Sequence, residues 1–109
     1  MSTLQRSIEK EKIMPFFVLW TKLEEEIGII HTSKRTDASL FMKQGISVYK
    51  ALLEQCSSEE ETLEPLNNDE RLHFVESYTS TYAAFRQLQE LFIEMQKKVA
   101  AKRAILNRL

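Results

Sequence analysis

Three stretches of the chain place apolar side chains at alternating intervals of three and four residues, the spacing that puts them on one face of an α-helix. The first stretch contains Phe16, Trp20, Leu23, Ile27 and Ile30. The second contains Ala38, Met42, Gly45, Tyr49, Leu52 and Cys56, and the third contains Phe85, Leu88, Phe92, Met95 and Val99. Glycine and proline, which most tight turns require, occur only twice each. The sequence therefore predicts an all-α fold with few, long helices.

The predicted helices are bounded by residues that favour helix ends or weaken helices. We expect four main helices over about 15–31, 37–56, 68–78 and 80–106, with a short N-terminal helix permitted over 2–12. Pro15 suits the first turn of the first main helix, and Gly28 weakens its last turn, which favours an early end there as the alternative. Asn67 followed by Glu70 resembles a helix cap and predicts the start of the third. Gly45 lies on the apolar seam of the second, where its missing side chain allows a neighbouring helix to approach closely.

The length and composition of the chain are those of one folded domain. A chain of 109 residues, 43% of them hydrophobic, can bury a core without disulfides or a metal. We therefore predict a single helical domain over 1–109, with its helices packed as a bundle. The segment 57–66 interrupts the helices and is rich in glutamate, with Pro65 near its end. We expect this segment to be an exposed acidic linker with little to bury.

The sequence contains no convincing set of catalytic or metal-binding residues. Glu70 and His73 have the Glu-x-x-His spacing of di-iron bundle proteins, but such a site needs a second pair. The other histidine, His31, has Gly28 three residues before it instead of an acid. No glycine lies in a phosphate-binding loop, and no spacing places a histidine beside the single cysteine, Cys56. We predict no catalytic residue, no metal and no cofactor; an enzyme or ligand carrier would need a polar pocket between the helices.

The chain has the features of a cytoplasmic protein. No segment approaches the roughly 18 to 20 consecutive apolar residues that a membrane span needs. Acidic residues lie among the basic ones near the N-terminus, which does not suit a secretory signal, and a lone cysteine suits a reducing compartment. We therefore predict a cytoplasmic protein that does not associate with membranes.

Charge is distributed unevenly along a chain whose formal net charge is only −1. Between residues 54 and 70 there are seven acids and no base. The C-terminal segment has no acid and five bases, namely Lys97, Lys98, Lys102, Arg103 and Arg108. These bases complement the negative end of the last helix dipole and favour solubility. Alternatively, they form a basic patch that makes weak, sequence-neutral contact with nucleic acid.

Two apolar residues of the first main helix fall outside its apolar seam. Phe17 and Val18 would form a partner-binding surface if both remain exposed. The last helix offers another surface, but its seam spans little more than two heptads, which favours packing inside one bundle over a homodimer through this helix. We therefore expect a non-enzymatic accessory or protein-interaction module whose helical surface binds another protein. A nucleic-acid accessory role through the basic C-terminal helix is the alternative.

Several stretches of the sequence resemble the YpoC-like proteins of Gram-positive bacteria. One is Pro15-Phe16-Phe17 followed by Trp20. Another is Pro65-Leu66-Asn67-Asn68-Asp69-Glu70-Arg71-Leu72 with Phe74, which continues to Gln87-Leu88, Leu91-Phe92 and Lys97-Lys98. Together with Met42 to Tyr49, the resemblance covers most of the chain from 15 to 98. It implies a small, mainly helical bacterial protein, and it implies no assigned activity, cofactor or substrate.

Overall fold

Five α-helices make up most of the chain in the computed structural model, which describes residues 2–33 and 37–108. They are α1 (Thr3–Ser7), α2 (Lys10–Ser33), α3 (Ser39–Gln55), α4 (Asn68–Ser77) and α5 (Tyr82–Leu106). Helices α2 to α5 correspond to the four main helices expected from the three-and-four spacing of apolar residues. The predicted all-α class is therefore confirmed.

Helix α2 begins at Lys10, five residues before Pro15, so the start expected at the proline is wrong. The earlier turn forms because Ile13 is buried on the same face as Trp20 and Ile27, at intervals of seven residues. Pro15 is exposed inside this helix, where it lacks the N–H of one intrahelical hydrogen bond and its ring crowds the carbonyl of Glu11. Burial of the added apolar turn outweighs that loss.

The N-terminal helix permitted over 2–12 forms only over Thr3–Ser7, as α1, and is separate from α2. Ser2 caps it, since the side-chain oxygen of Ser2 accepts a hydrogen bond from the backbone N–H of Gln5 at 3.0 Å. Leu4 and Ile8 are both buried. The carbonyl oxygen of Ile8 accepts two hydrogen bonds from the guanidinium of Arg103, at 2.8 and 3.0 Å. These contacts attach α1 to the far end of α5.

Helix α2 continues past Gly28 to Ser33, close to the expected end at about residue 31, so the glycine does not end the helix early. Ile30 is half-buried against the core. The imidazole ring of His31 stacks on Phe85 with a centroid separation of 5.6 Å and an interplanar angle of 20°. These tertiary contacts offset the roughly 1 kcal/mol that a helical glycine costs relative to alanine.

Helix α3 lies at the centre of the bundle and contacts α2, α4 and α5. All residues of its predicted apolar seam are buried, from Ala38 to Cys56. The indole of Trp20 on α2 approaches the backbone of α3 at Gly45. A methyl group at Gly45 would lie only 2.8 Å from Cζ3 of Trp20. The glycine on the seam therefore sets the close approach of α2 to α3, as the sequence predicts.

The N-terminus of α4 is not held by the expected cap. Asn67 adopts a left-handed conformation, with φ 56°, and its side chain makes no capping hydrogen bond. The next residue, Asn68, is buried instead, and its Oδ1 accepts a hydrogen bond from the Tyr49 hydroxyl at 2.5 Å. The segment that resembled a cap therefore connects α4 to α3 through the hydrogen bond between Tyr49 and Asn68.

The acidic linker 57–66 is less exposed than expected. Leu63 and Pro65 are buried, so the prediction that this segment has little to bury is wrong at these two residues. Several of its glutamates are exposed, while the carboxylate of Glu61 pairs with Nζ of Lys102 at 2.7 Å. Leu63 packs with the core cluster, and this burial holds the linker against the bundle.

An ion pair joins α4 to α5. Nη1 of Arg71 donates to Oε1 of Glu94 at 3.1 Å and to the carbonyl of Leu66 at 3.1 Å, and Nη2 donates to the other Glu94 oxygen. The hydrogen bonds from Arg71 hold the pKa of Glu94 below its usual value. Folding stability from this pair is therefore present above the unfolded pKa of about 4.3 and is lost as the pH falls through the lower folded pKa.

The substitution Glu94→Gln tests this pH dependence. We expect it to lower the free energy of unfolding by about 0.5 kcal/mol at pH 7, a small value because the pair is partly exposed. The difference from the unmodified protein should shrink as the pH falls through the lowered folded pKa, because Glu94 is then protonated in both states. Urea unfolding at a series of pH values measures it. A difference that stays constant down to about pH 2 would contradict this role of the carboxylate.

Candidate partner-binding groove

Helices α2 and α5 run antiparallel, and their packing leaves a groove along one side of the core. The order of their contacts shows the direction: Trp20 with Phe92, Glu24 with Gln89, and His31 with Phe85. One hollow of this groove is lined by Lys10, Ile13, Met14, Phe17, Gln96, Val99, Ala100 and Arg103. An adjoining hollow is lined by Phe17, Val18, Thr21 and Lys22. The first hollow lies between α2 and α5, whereas the second is lined by α2 alone. The two hollows share Phe17 and are together called the α2/α5 groove.

The predicted surface residues Phe17 and Val18 are placed differently from each other. Val18 is 48% exposed, but Phe17 is half-buried and packs edge-on against Phe92 with a centroid separation of 6.2 Å. Phe17 is therefore not a fully exposed surface residue; it forms the floor of the groove. The predicted surface required both residues to be exposed, and only Val18 is.

Met14 completes the apolar surface and was missed by the sequence reasoning. It is 48% exposed and lies four residues before Val18, on the same side of α2. Its spacing to Phe17 and Val18, three and four residues, was the signal that could have identified it. Met14, Phe17 and Val18 together form a contiguous apolar surface, called here the α2 patch.

The charged residues that line the groove are all basic. Lys10 and Lys22 are exposed and lie at opposite ends of the α2 patch, about 18 Å apart along a helix that rises about 1.5 Å per residue. Arg103 lies near Lys10, and its guanidinium is held by the Ile8 carbonyl. The charged residues that follow Lys22 along α2 are acidic. A separate hollow between α2 and α5 is lined by Glu24 and Glu25, among other residues.

A protein-family model described as YpoC-like protein matches residues 10–107, nearly the whole chain. The chain belongs to the YpoC-like family. No curated protein and no solved structure matches the chain. The matched residues include both helices that form the groove, so the groove is built from the part of the chain that this YpoC-like protein shares with its family model.

Two residues of the predicted basic patch of this YpoC-like protein, Lys98 and Lys102, line one hollow on α5 together with Glu61 and Glu64 of the linker. Two of the five patch residues make intramolecular contacts: Lys102 pairs with Glu61, and Arg103 donates to the Ile8 carbonyl. Lys97 and Lys98 are exposed but are consecutive on α5, so their side chains leave the helix about 100° apart. Arg108 lies beyond the end of this helix.

The residues considered for chemistry lie apart from one another. Glu70 and His73 are exposed on α4, whereas His31 is half-buried on α2. Cys56 is buried, and burial raises the pKa of its thiol to about 11, which disfavours the reactive thiolate. Within residues 2–33 and 37–108, no three His, Cys, Asp or Glu side chains are close enough together to hold a metal ion.

No helix in the described part of the chain has the length and apolar character needed to cross a membrane.

Proposed function

We propose that this YpoC-like protein is a non-enzymatic accessory or interaction module that binds a partner protein in the α2/α5 groove. The observation that carries this proposal is the α2 patch, where Met14 and Val18 are each 48% exposed beside the half-buried ring of Phe17. Single exposed apolar residues are common on protein surfaces, but a contiguous group in a concave surface is typical of an interaction site.

The shape of the groove favours a protein segment over a small molecule. It is open to solvent along its length, and its apolar residues on α2 are spaced by three and four residues. A docking helix presents apolar side chains at the same spacing and inserts them into such a groove. The alternative of weak nucleic-acid binding through α5 has less support, because Lys102 is paired with Glu61, and Lys98 and Lys102 share one hollow with Glu61 and Glu64.

Site-specific photocrosslinking in cells of the source organism tests the proposal. A photoreactive phenylalanine analogue is placed at Val18 in the full-length protein, and at Leu40 as the control. Leu40 is more exposed, at 66%, but lies on α3 outside the groove. We expect a discrete crosslinked protein from position 18 that is absent from position 40 and is lost when Met14→Glu is added. No product at position 18, or the same products from both positions, would refute the proposal.

A further inference from the structure

We propose that the occupant of the α2/α5 groove is an acidic amphipathic helix of another protein. This inference rests on the proposed function and adds to it the chemistry of the partner. The α2 patch supplies the apolar contacts, and the basic side chains at its two ends supply the electrostatic ones.

Charge complementarity identifies the partner as acidic. The residues that line the two hollows include three bases, Lys10, Lys22 and Arg103, and no acid. Neither lysine has a carboxylate within ion-pairing distance among residues 2–33 and 37–108. Arg103 is held by the Ile8 carbonyl and also interacts electrostatically with the Glu11 carboxylate, so the two lysines carry the charge argument. A bound segment that brings carboxylates to Lys10 and Lys22 would gain favourable electrostatic interactions that the free protein lacks.

The location of Lys10 supports a binding role because it does not favour folding. Lys10 is the first residue of α2, where a positive charge opposes the helix dipole. A carboxylate at this end of the helix would instead interact favourably with the dipole and stabilise the fold. The lysine therefore contributes more to an electropositive groove than to the stability of the helix that carries it.

The spacing of the charges defines the length and location of the occupant. Lys10 and Lys22 are separated by about 18 Å, the length of about 12 helical residues. An acidic helix that extended past Lys22 would meet Glu24 and Glu25, whose charges repel it. The occupant is therefore a helix of about three turns, with apolar residues facing the α2 patch and carboxylates near both ends.

A pair of charge variants tests this partner chemistry. The photoreactive analogue remains at position 18 of the full-length protein, and the crosslinking yield is compared between K10E/K22E and K10Q/K22Q. We expect the charge reversal to lower the yield about tenfold and the neutral variant to lower it less. We expect Tm of the two variants to be similar. A glutamate at position 10 suits the start of α2, whereas one at position 22 lies three and four residues from Glu25 and Glu26 and offsets that gain. A lower crosslinking yield at an unchanged Tm would show that the charge reversal weakens binding and does not unfold the protein.

The other outcomes distinguish the two proposals. If the crosslinked protein appears with unchanged yield in K10E/K22E, the partner is not acidic, and the inference fails while the interaction module stands. If the product has twice the mass of the chain, the occupant is a second copy and the inference also fails. If the product is sensitive to nuclease, or if no product forms at position 18, both proposals fail.

Discussion

Replacing Phe92 with alanine is expected to lower the free energy of unfolding by about 3–5 kcal/mol. The ring of Phe92 is buried on α5 and stacks on Trp20 with a centroid separation of 4.3 Å and an interplanar angle of 7°. Tyr49 of α3 contacts it edge-on at 5.1 Å. The side chain thus joins three helices, and its removal leaves a cavity that the two neighbouring rings cannot fill without moving.

The loss is large compared with the total stability of a small domain, which is about 5–15 kcal/mol. Urea unfolding followed by circular dichroism measures it, with Phe74→Ala as the control. Phe74 has the same side chain but is 38% exposed on α4, so its truncation should cost much less, about 1 kcal/mol. Equal losses for the two variants would show that Phe92 does not lie at the centre of the core.

The same substitution has a consequence for the groove. Phe17, which forms the groove floor, packs edge-on against Phe92. Without this support, the Phe17 ring can move toward the cavity, and the apolar surface beside Met14 and Val18 loses its shape. Crosslinking from position 18 should therefore decrease in Phe92→Ala even at a temperature where the variant remains folded.

The sequence predicted the core more accurately than the helix ends. Trp20, Tyr49 and Phe92 are buried as their spacing requires, because periodicity alone determines which side of a helix is apolar. The start of α2 was mislocated because Pro15 is a local signal, whereas the burial of Ile13 depends on tertiary packing. Local signals at a helix end are weak compared with the burial of one more apolar side chain.

Polar connections between distant segments were the other feature that the sequence did not reveal. Asn67 and Glu70 matched the pattern of a helix cap, but the buried partner of Tyr49 is Asn68. A hydrogen bond between residues 19 apart in sequence has no local signature. The buried Leu63 in the acidic linker was missed for the same reason, since composition identifies charge but not the contact of a single apolar residue.

The candidate groove was only partly predictable. The helical spacing places Phe17 and Val18 outside the apolar seam, but it does not show how far α5 covers that side of α2. The structure shows that α5 reaches Phe17 and leaves Val18 and Met14 exposed. Lys10 was unrecognised as a groove residue because it was assigned to a segment before the helix, and its role depends on the corrected start of α2.

The two glycines provide a matched pair for the second large effect. We expect Gly45→Val to lower the free energy of unfolding by about 3 kcal/mol. A Cβ at Gly45 would lie 2.8 Å from Cζ3 of Trp20 and 3.2 Å from Cδ2 of Leu88, and valine adds two more carbons. The indole has little freedom to move, because it also stacks on the ring of Phe92. Any gain in helix propensity over glycine, about 0.5 kcal/mol for valine, is too small to offset this overlap.

The same change at Gly28 isolates the effect of packing from the effect of propensity. Gly28 also lies in a helix, but a Cβ there has no atom within 4 Å among the described residues, so Gly28→Val should change the stability by about 0.5 kcal/mol or less. Alanine should stabilise the protein by about 1 kcal/mol at Gly28 and destabilise it at Gly45, where its Cβ overlaps the Trp20 ring. Thermal and urea unfolding of the four variants measure these differences. If valine is tolerated equally at both glycines, α2 and α3 can separate without cost, and the close approach of Trp20 to α3 is not what the fold requires.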